Sequence, residues 1–189
     1  MARTRKAAKP IVERAELTTG SMEETQAVGA QIGRWLCAGD VVALRGELGA
    51  GKTTLVQGMA RGQGRESGVV KSPTFVLVRE YPGDVTLVHI DGYRLSGAPA
   101  AAWLDLELLI GPRKITVIEW AERFEGLLPE RHVVIDLSHV STNRRKLSVT
   151  LAGDWPADRI ASLKDALQNA QPQATDIRNE KADDGNSGD

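Results

Sequence analysis

Residues Gly46 to Thr54 read Gly-Glu-Leu-Gly-Ala-Gly-Lys-Thr-Thr, a match to the phosphate-binding loop G-x-x-x-x-G-K-[ST]. Such a loop needs a strand before it and a helix after it, and the flanks supply both. Val41-Val42-Ala43-Leu44 is a short apolar run of the kind found in buried strands, and Thr53 to Ala60 can open a helix. The glycines at 46, 49 and 51 let the backbone turn its N–H groups inward, and the helix N-terminus adds partial positive charge. Lys52 can then reach the β- and γ-phosphates while the Thr53 hydroxyl ligates Mg²⁺. The expected nucleotide contacts are Glu47, Leu48, Gly49, Ala50, Gly51, Lys52, Thr53 and Thr54. A glycine-rich structural turn is the competing reading, and the flanking strand and helix weigh against it.

Around this loop the chain alternates strands and helices. Residues 11–17 read as an edge strand. Ser21-Met22-Glu23-Glu24 matches a capping box, followed by Val28, Ile32, Trp35 and Leu36 at helical spacing, with Gly39 as the stop. Trp35 on that apolar face reads as core. Residues 61–71 form a glycine-containing loop. Val76–Tyr81 and Val85–Ile90, joined by Pro82-Gly83-Asp84, predict an antiparallel hairpin. Further on come a leucine-rich helix near 104–109, a buried strand at Ile115–Trp120, a short helix at Ala121–Leu128, strands at 132–137 and 146–151, and a last helix whose first turn holds Pro156. The order predicts an α/β fold: a P-loop NTPase-like sheet, mixed parallel and antiparallel, flanked by helices.

The 189 residues and 41% hydrophobic content suit one main domain, expected over residues 18–169. Residues 1–17 hold a basic tail and the edge strand, and 170–189 read as a disordered acidic tail. Arg3, Arg5, Lys6 and Lys9 could touch RNA or form a solvated arm. A net charge of −1 gives no global case for nucleic-acid or membrane binding. Cys37 is the only cysteine, and no apolar run or leader is apparent, which together predict a cytoplasmic protein. His89, His132 and His139 lack metal-ligand spacing.

Ligands of open α/β sheets lie beyond the carboxyl ends of the strands. Two acids are expected there, Asp91 and Glu119. By position alone each could serve a Mg–nucleotide site or act as a strand-end cap or ion-pair partner. Glu80 and Asp84 are expected at the opposite end.

Four segments carry a family resemblance. Asp40–Leu55, Ser72-Pro73-Thr74-Phe75, His89-x-Asp91-x-Tyr93-Arg94 and Ile118-Glu119-Trp120, in this order, resemble the TsaE (YjeE) family over residues 18–151. The resemblance implies a Mg²⁺-dependent ATPase that is weak alone. Its partners would be TsaD and TsaB, with tRNA reached indirectly through that complex, in forming threonylcarbamoyl-adenosine next to the anticodon. It implies that Lys52 holds phosphates, that Thr53, Asp91 and Glu119 serve the metal, and that Glu119 sets up hydrolysis. Ser72, Pro73, Thr74 and Phe75 would form a switch-like segment. Trp120 would lie beside the nucleotide, although packing beside the sheet explains it equally well. Gly92 departs from the family, which commonly has a larger residue there, and predicts a looser loop.

Two other classes remain. A P-loop small-molecule kinase would need lid arginines, for which Arg61 and Arg65 are available in the 61–71 loop. A GTPase-like switch would need an N/T-K-x-D guanine signature, which the chain lacks.

Overall fold

Val41–Arg45 (β2) is apolar for four residues because both of its faces are covered. In the computed structural model, which describes residues 13–66, 68–73, 76–95 and 105–170, β2 lies at the centre of a seven-stranded sheet of order β1-β7-β6-β2-β5-β4-β3. The other strands are β1 (Glu13–Thr19), β3 (Val78–Tyr81), β4 (Thr86–Asp91), β5 (Lys114–Glu119), β6 (His132–His139) and β7 (Arg145–Ala152). The pairs β6–β2, β2–β5 and β5–β4 are parallel. Antiparallel strands extend both flanks: β3 on β4, and β7 then β1 beyond β6. This is the mixed sheet expected, hairpin included.

Alternation along the strands divides the core in two. Val42, Leu44, Val117 and Ile135 face α1 (Met22–Trp35), α2 (Lys52–Gly62) and α4 (Ala157–Gln168). Val41, Ala43, Ile90 and Ile118 face the other way, onto Phe124 and onto Leu106 of the one-turn helix α3 (Leu106–Leu109).

The helices α1 and α2 meet backbone to backbone. A methyl group added at Gly29 or Gly33 of α1 would fall on the Leu55 or Met59 carbonyl, and one at Gly58 or Gly62 of α2 on the Gln26 or Ala30 carbonyl. That close approach brings the start of α1 beside the phosphate loop. The start itself is capped as expected at Ser21, whose Oγ accepts from Glu24 N–H at 3.1 Å. The Glu24 carboxylate reaches back to the Gly20 N–H at 2.6 Å, one residue earlier than a capping box would have it.

Several boundaries differ from the sequence reading. The edge strand runs over Glu13–Thr19, where its register pairs it with residues 145–151 of β7. Helix α1 stops at Trp35, and Gly39 instead makes the turn into β2 at φ 93°. The segment after β5 is only a 3-10 turn, Ala121–Phe124, because Trp120 before it (φ 58°) and Gly126 after it (φ 81°) are left-handed. Pro156 is the N-cap of α4 and lies just outside its first turn.

Trp35 is core, as expected. Its indole N–H donates to the Arg159 carbonyl at 3.0 Å, and the Arg159 guanidinium lies 4.3 Å from its ring centre. The same guanidinium pairs with Asp40 at 2.7 Å, which ties α4 to the residue before β2.

Candidate functional site

The loop between β2 and α2 has the shape its sequence demands. Gly46, Gly49 and Gly51 take φ values of 138°, 79° and 103°, a region open at little cost only to glycine. Gly46 also lies so close to β6 that a side chain would strike the Leu137 carbonyl. Gly51 is the N-cap of α2, and no side chain closes that end, leaving the first-turn N–H groups for an anion.

A cavity of about 260 Å³ opens at this helix end. Leu48, Gly49, Gly51, Lys52, Thr53 and Thr54 form one wall, and Ser72, Asp91, Tyr93, Glu119 and Trp120 the other. The opposite wall follows from the sheet register: Asp91 ends β4, Glu119 ends β5, and the two are paired across the strands at the same carboxyl edge as the loop.

Lys52 is 4% exposed. Its Nζ donates to the carbonyls of Gly46 (2.7 Å) and Glu47 (2.9 Å) and stands 4.0 Å above the Trp120 ring. Burial pushes the ammonium below the usual lysine range, while Glu119, Glu122 and Asp91 pull it back up. The Thr53 hydroxyl donates to Glu119 Oε1 at 2.8 Å, and the same oxygen lies 2.8 Å from His89 Nε2. Asp91 accepts from the Ser72 hydroxyl at 3.0 Å and from the Tyr93 N–H at 2.9 Å.

Most of the residues singled out in the sequence therefore share one cavity. Trp120 lines it, with the Tyr93 ring tilted against it, 5.2 Å between ring centres. Glu47 and Ala50 do not line it; the Glu47 side chain is exposed and the Ala50 methyl is in the core. In the switch-like segment, Ser72 touches Asp91, and the Pro73 carbonyl accepts from the N–H groups of Val76 and Leu77. Thr74 and Phe75 lie outside the described residues, as do both tails. Glu80 pairs with Lys114 at the far end of the sheet, 2.9 Å away. The loop at Gly92 is not loose: a Cβ there would come 2.7 Å from the Phe124 ring and 3.3 Å from the Glu119 and Trp120 carbonyls. That crowding explains the absence of a larger side chain.

Two features escaped the sequence reading. One is His89, which was visible in the His-x-Asp motif but gave no sign of touching Glu119. The other is a second cavity, about 400 Å³, on the other side of the loop. Its walls are the start of α1 (Gly20 to Glu23, with Thr25), the loop residues Gly49, Gly51 and Thr54, and Thr142, Asn143 and Arg145 of the β6–β7 turn. Arg145 holds that turn by donating to the carbonyls of Ser141, Thr142 and Arg144. The polar composition of the turn was the only signal.

Comparison with known proteins agrees with this layout. The family model described as threonylcarbamoyl adenosine biosynthesis protein TsaE matches residues 19–147. The tRNA threonylcarbamoyladenosine biosynthesis protein TsaE of Mycobacterium tuberculosis is 38% identical over 151 residues, 71% of this chain and 89% of that protein. Its namesake in Streptomyces coelicolor is 42% identical over 132 residues, covering 67% and 88%. The crystal structure of Bacillus subtilis YdiB superposes with a TM-score of 0.67 at 28% identity, over 85% of this chain and 98% of that one. With its phosphate loop, strand-end acids and mixed sheet, the chain belongs to the TsaE family of tRNA threonylcarbamoyladenosine biosynthesis.

Proposed function

We propose that this protein is a Mg²⁺-dependent ATP hydrolase, weak alone, that acts with TsaD and TsaB to form threonylcarbamoyl-adenosine next to the anticodon of tRNA. The observation that carries the chemistry is the meeting of Lys52, Thr53, Asp91 and Glu119 on one cavity at the open end of α2. Family membership carries the pathway.

The donor set fits Mg²⁺, a hard cation that keeps several waters and takes only one or two carboxylates from a protein. Thr53, Asp91 and Glu119 offer oxygen atoms only, and the described residues contain no cluster of three or more histidine, cysteine or acidic side chains of the kind that would cage a metal. The chemistry Mg²⁺ supplies when bound is neutralisation of charge on the β- and γ-phosphate oxygens. Thr53 can serve it without leaving Glu119, because a hydroxyl donates its proton and keeps lone pairs. Lys52 and the first-turn amides of α2 hold the phosphates. Glu119, with Oε1 already engaged, turns its other oxygen to the attacking water, orients it and accepts its proton. The larger cavity across the loop takes the nucleoside, and Trp120 with Tyr93 walls off the phosphate end.

The kinase alternative loses one of its lid arginines. Arg65 donates to the carbonyls of Tyr81 and Val85 and anchors the β3–β4 hairpin, so it does not hang over the cavity.

Binding and turnover separate the roles. Lys52→Ala is expected to lose nucleotide affinity together with hydrolysis. Glu119→Ala should retain ATP, measured by calorimetry, while phosphate release falls by about 100-fold or more, as when a positioned acid–base group is removed. Glu119→Ala hydrolysing ATP at the wild-type rate would refute this assignment.

A further inference from the structure

His89 is fully buried within β4. Strand alternation sends Val88 and Ile90 to one core and His89, with Leu87 and Asp91, to the helix-bearing face. On the neighbouring strand Glu119 points the same way, as do Ile115 and Val117. The register places Asp91 opposite Glu119 and His89 opposite Val117, so His89 and Glu119 are diagonal neighbours, within reach for long side chains. His89 Nε2 is 2.8 Å from Glu119 Oε1. A carboxylate only accepts, so the ring proton is on Nε2.

The other nitrogen, Nδ1, is buried with no hydrogen-bond partner among the described residues. A hydrocarbon side chain would fill this position without leaving a polar atom unsatisfied. What the imidazole adds over such a side chain is its bond to Glu119.

Resting on the ATPase reading above, we infer that His89 is a positioning residue for the hydrolytic step. Together with the Thr53 hydroxyl it engages Oε1 of Glu119 from two directions. That fixes the plane of the carboxylate and leaves Oε2, which makes no hydrogen bond among the described residues, as the oxygen that meets water. A base held in one orientation presents one lone-pair direction to the nucleophile, and small misplacements at that distance are costly in rate. His89 touches neither phosphate nor water; it acts through Glu119.

The test compares His89→Leu and His89→Gln in the full-length chain. Three readouts are needed: MgATP turnover, nucleotide affinity, and the long-range ¹H–¹⁵N spectrum of the histidine rings at one fixed pH. His89→Leu should keep its nucleotide Kd within about threefold and lose about 10- to 100-fold in kcat, the range for residues that orient an active group from behind. His89→Gln, whose amide N–H can reach the same oxygen, should recover most of that loss. A purely packing role predicts the reverse order. The wild-type spectrum should place the His89 proton on Nε2, and Glu119→Gln should move that resonance. Wild-type turnover in His89→Leu, equal losses in both variants, or a ring proton on Nδ1 would each overturn the inference. Absence of turnover in the wild-type protein would instead remove the ATPase reading, and the positioning role with it, while the ring spectrum would still report the bond itself.

Discussion

At the scale of single residues, the charges buried at the site are each answered by a neighbour. Glu119 is 3% exposed and Asp91 2%; Thr53 and His89 engage the first, and Ser72 and the Tyr93 N–H donate to the second. His132, at the start of β6, gives a separate handle on pH. Burial holds its imidazole below the usual value near 6.5, Arg45 acts in the same direction, and the carbonyls of Pro129 and Glu130 oppose. The unfolded chain therefore takes up this proton at a higher pH than the folded one, so stability falls as pH drops through 6.5 and on through the folded value. His132→Gln should flatten that fall. Melting temperatures of both proteins between pH 7.5 and 5, without nucleotide, check it; parallel curves would refute it. The residues legible in the sequence were those whose spacing is set by the loop itself, Lys52 and Thr53, and those fixed by strand ends, Asp91 and Glu119. His89 was present in a recognised motif, but its contact with Glu119 depends on which strands are neighbours and in what register, and no local pattern encodes that.

At the scale of elements, the α1–α2 contact does most to shape the site. Four glycines let the two helices touch along their backbones, and the start of α1 becomes a wall of the larger cavity as a result. Gly33→Ala would drive a methyl group into the Met59 carbonyl. The expected cost is about 1–3 kcal/mol, typical of overpacking that the backbone must absorb, with a weaker nucleotide affinity as α1 moves away from the loop. Urea unfolding and calorimetry would measure the two effects; an unchanged midpoint would contradict the packing described. The sequence displayed these glycines openly, yet inside a helical pattern a glycine usually reads only as a loss of helix propensity. Its use for close approach appears only when the partner helix is known. The same limit explains the element boundaries. The helix expected over 121–128 shrank to one turn because Trp120 and Gly126 adopt left-handed backbone, and periodicity does not report φ.

At the scale of the whole molecule, the parallel strands β2, β5 and β4 bring the residues of the candidate site to one edge, and β6, the antiparallel flanks and α4 surround them. The hairpin between β3 and β4 marked the sheet as mixed from sequence alone, because Pro82-Gly83-Asp84 leaves no room for a crossover. The α4 helix is joined to the base of β2 by Arg159, Asp40 and the paired rings of Trp35 and Trp155, 5.4 Å apart, a junction that sequence showed only as separate aromatic residues. Among the described residues no helix is long and apolar enough to cross a membrane. The mouth of the cavity between the loop and the strand ends carries Leu48, 70% exposed, and Tyr93, 40% exposed, beside Trp120. The proposed activity is hydrolysis of ATP in this cavity, at a rate that TsaD with TsaB raises. The most direct measurement is steady-state phosphate release from MgATP with and without purified TsaD and TsaB, with Lys52→Ala as the control. Slow turnover alone, stimulation by the pair, and loss of both in the variant are expected; fast turnover indifferent to the partners, or turnover that survives in Lys52→Ala, would refute the proposed activity.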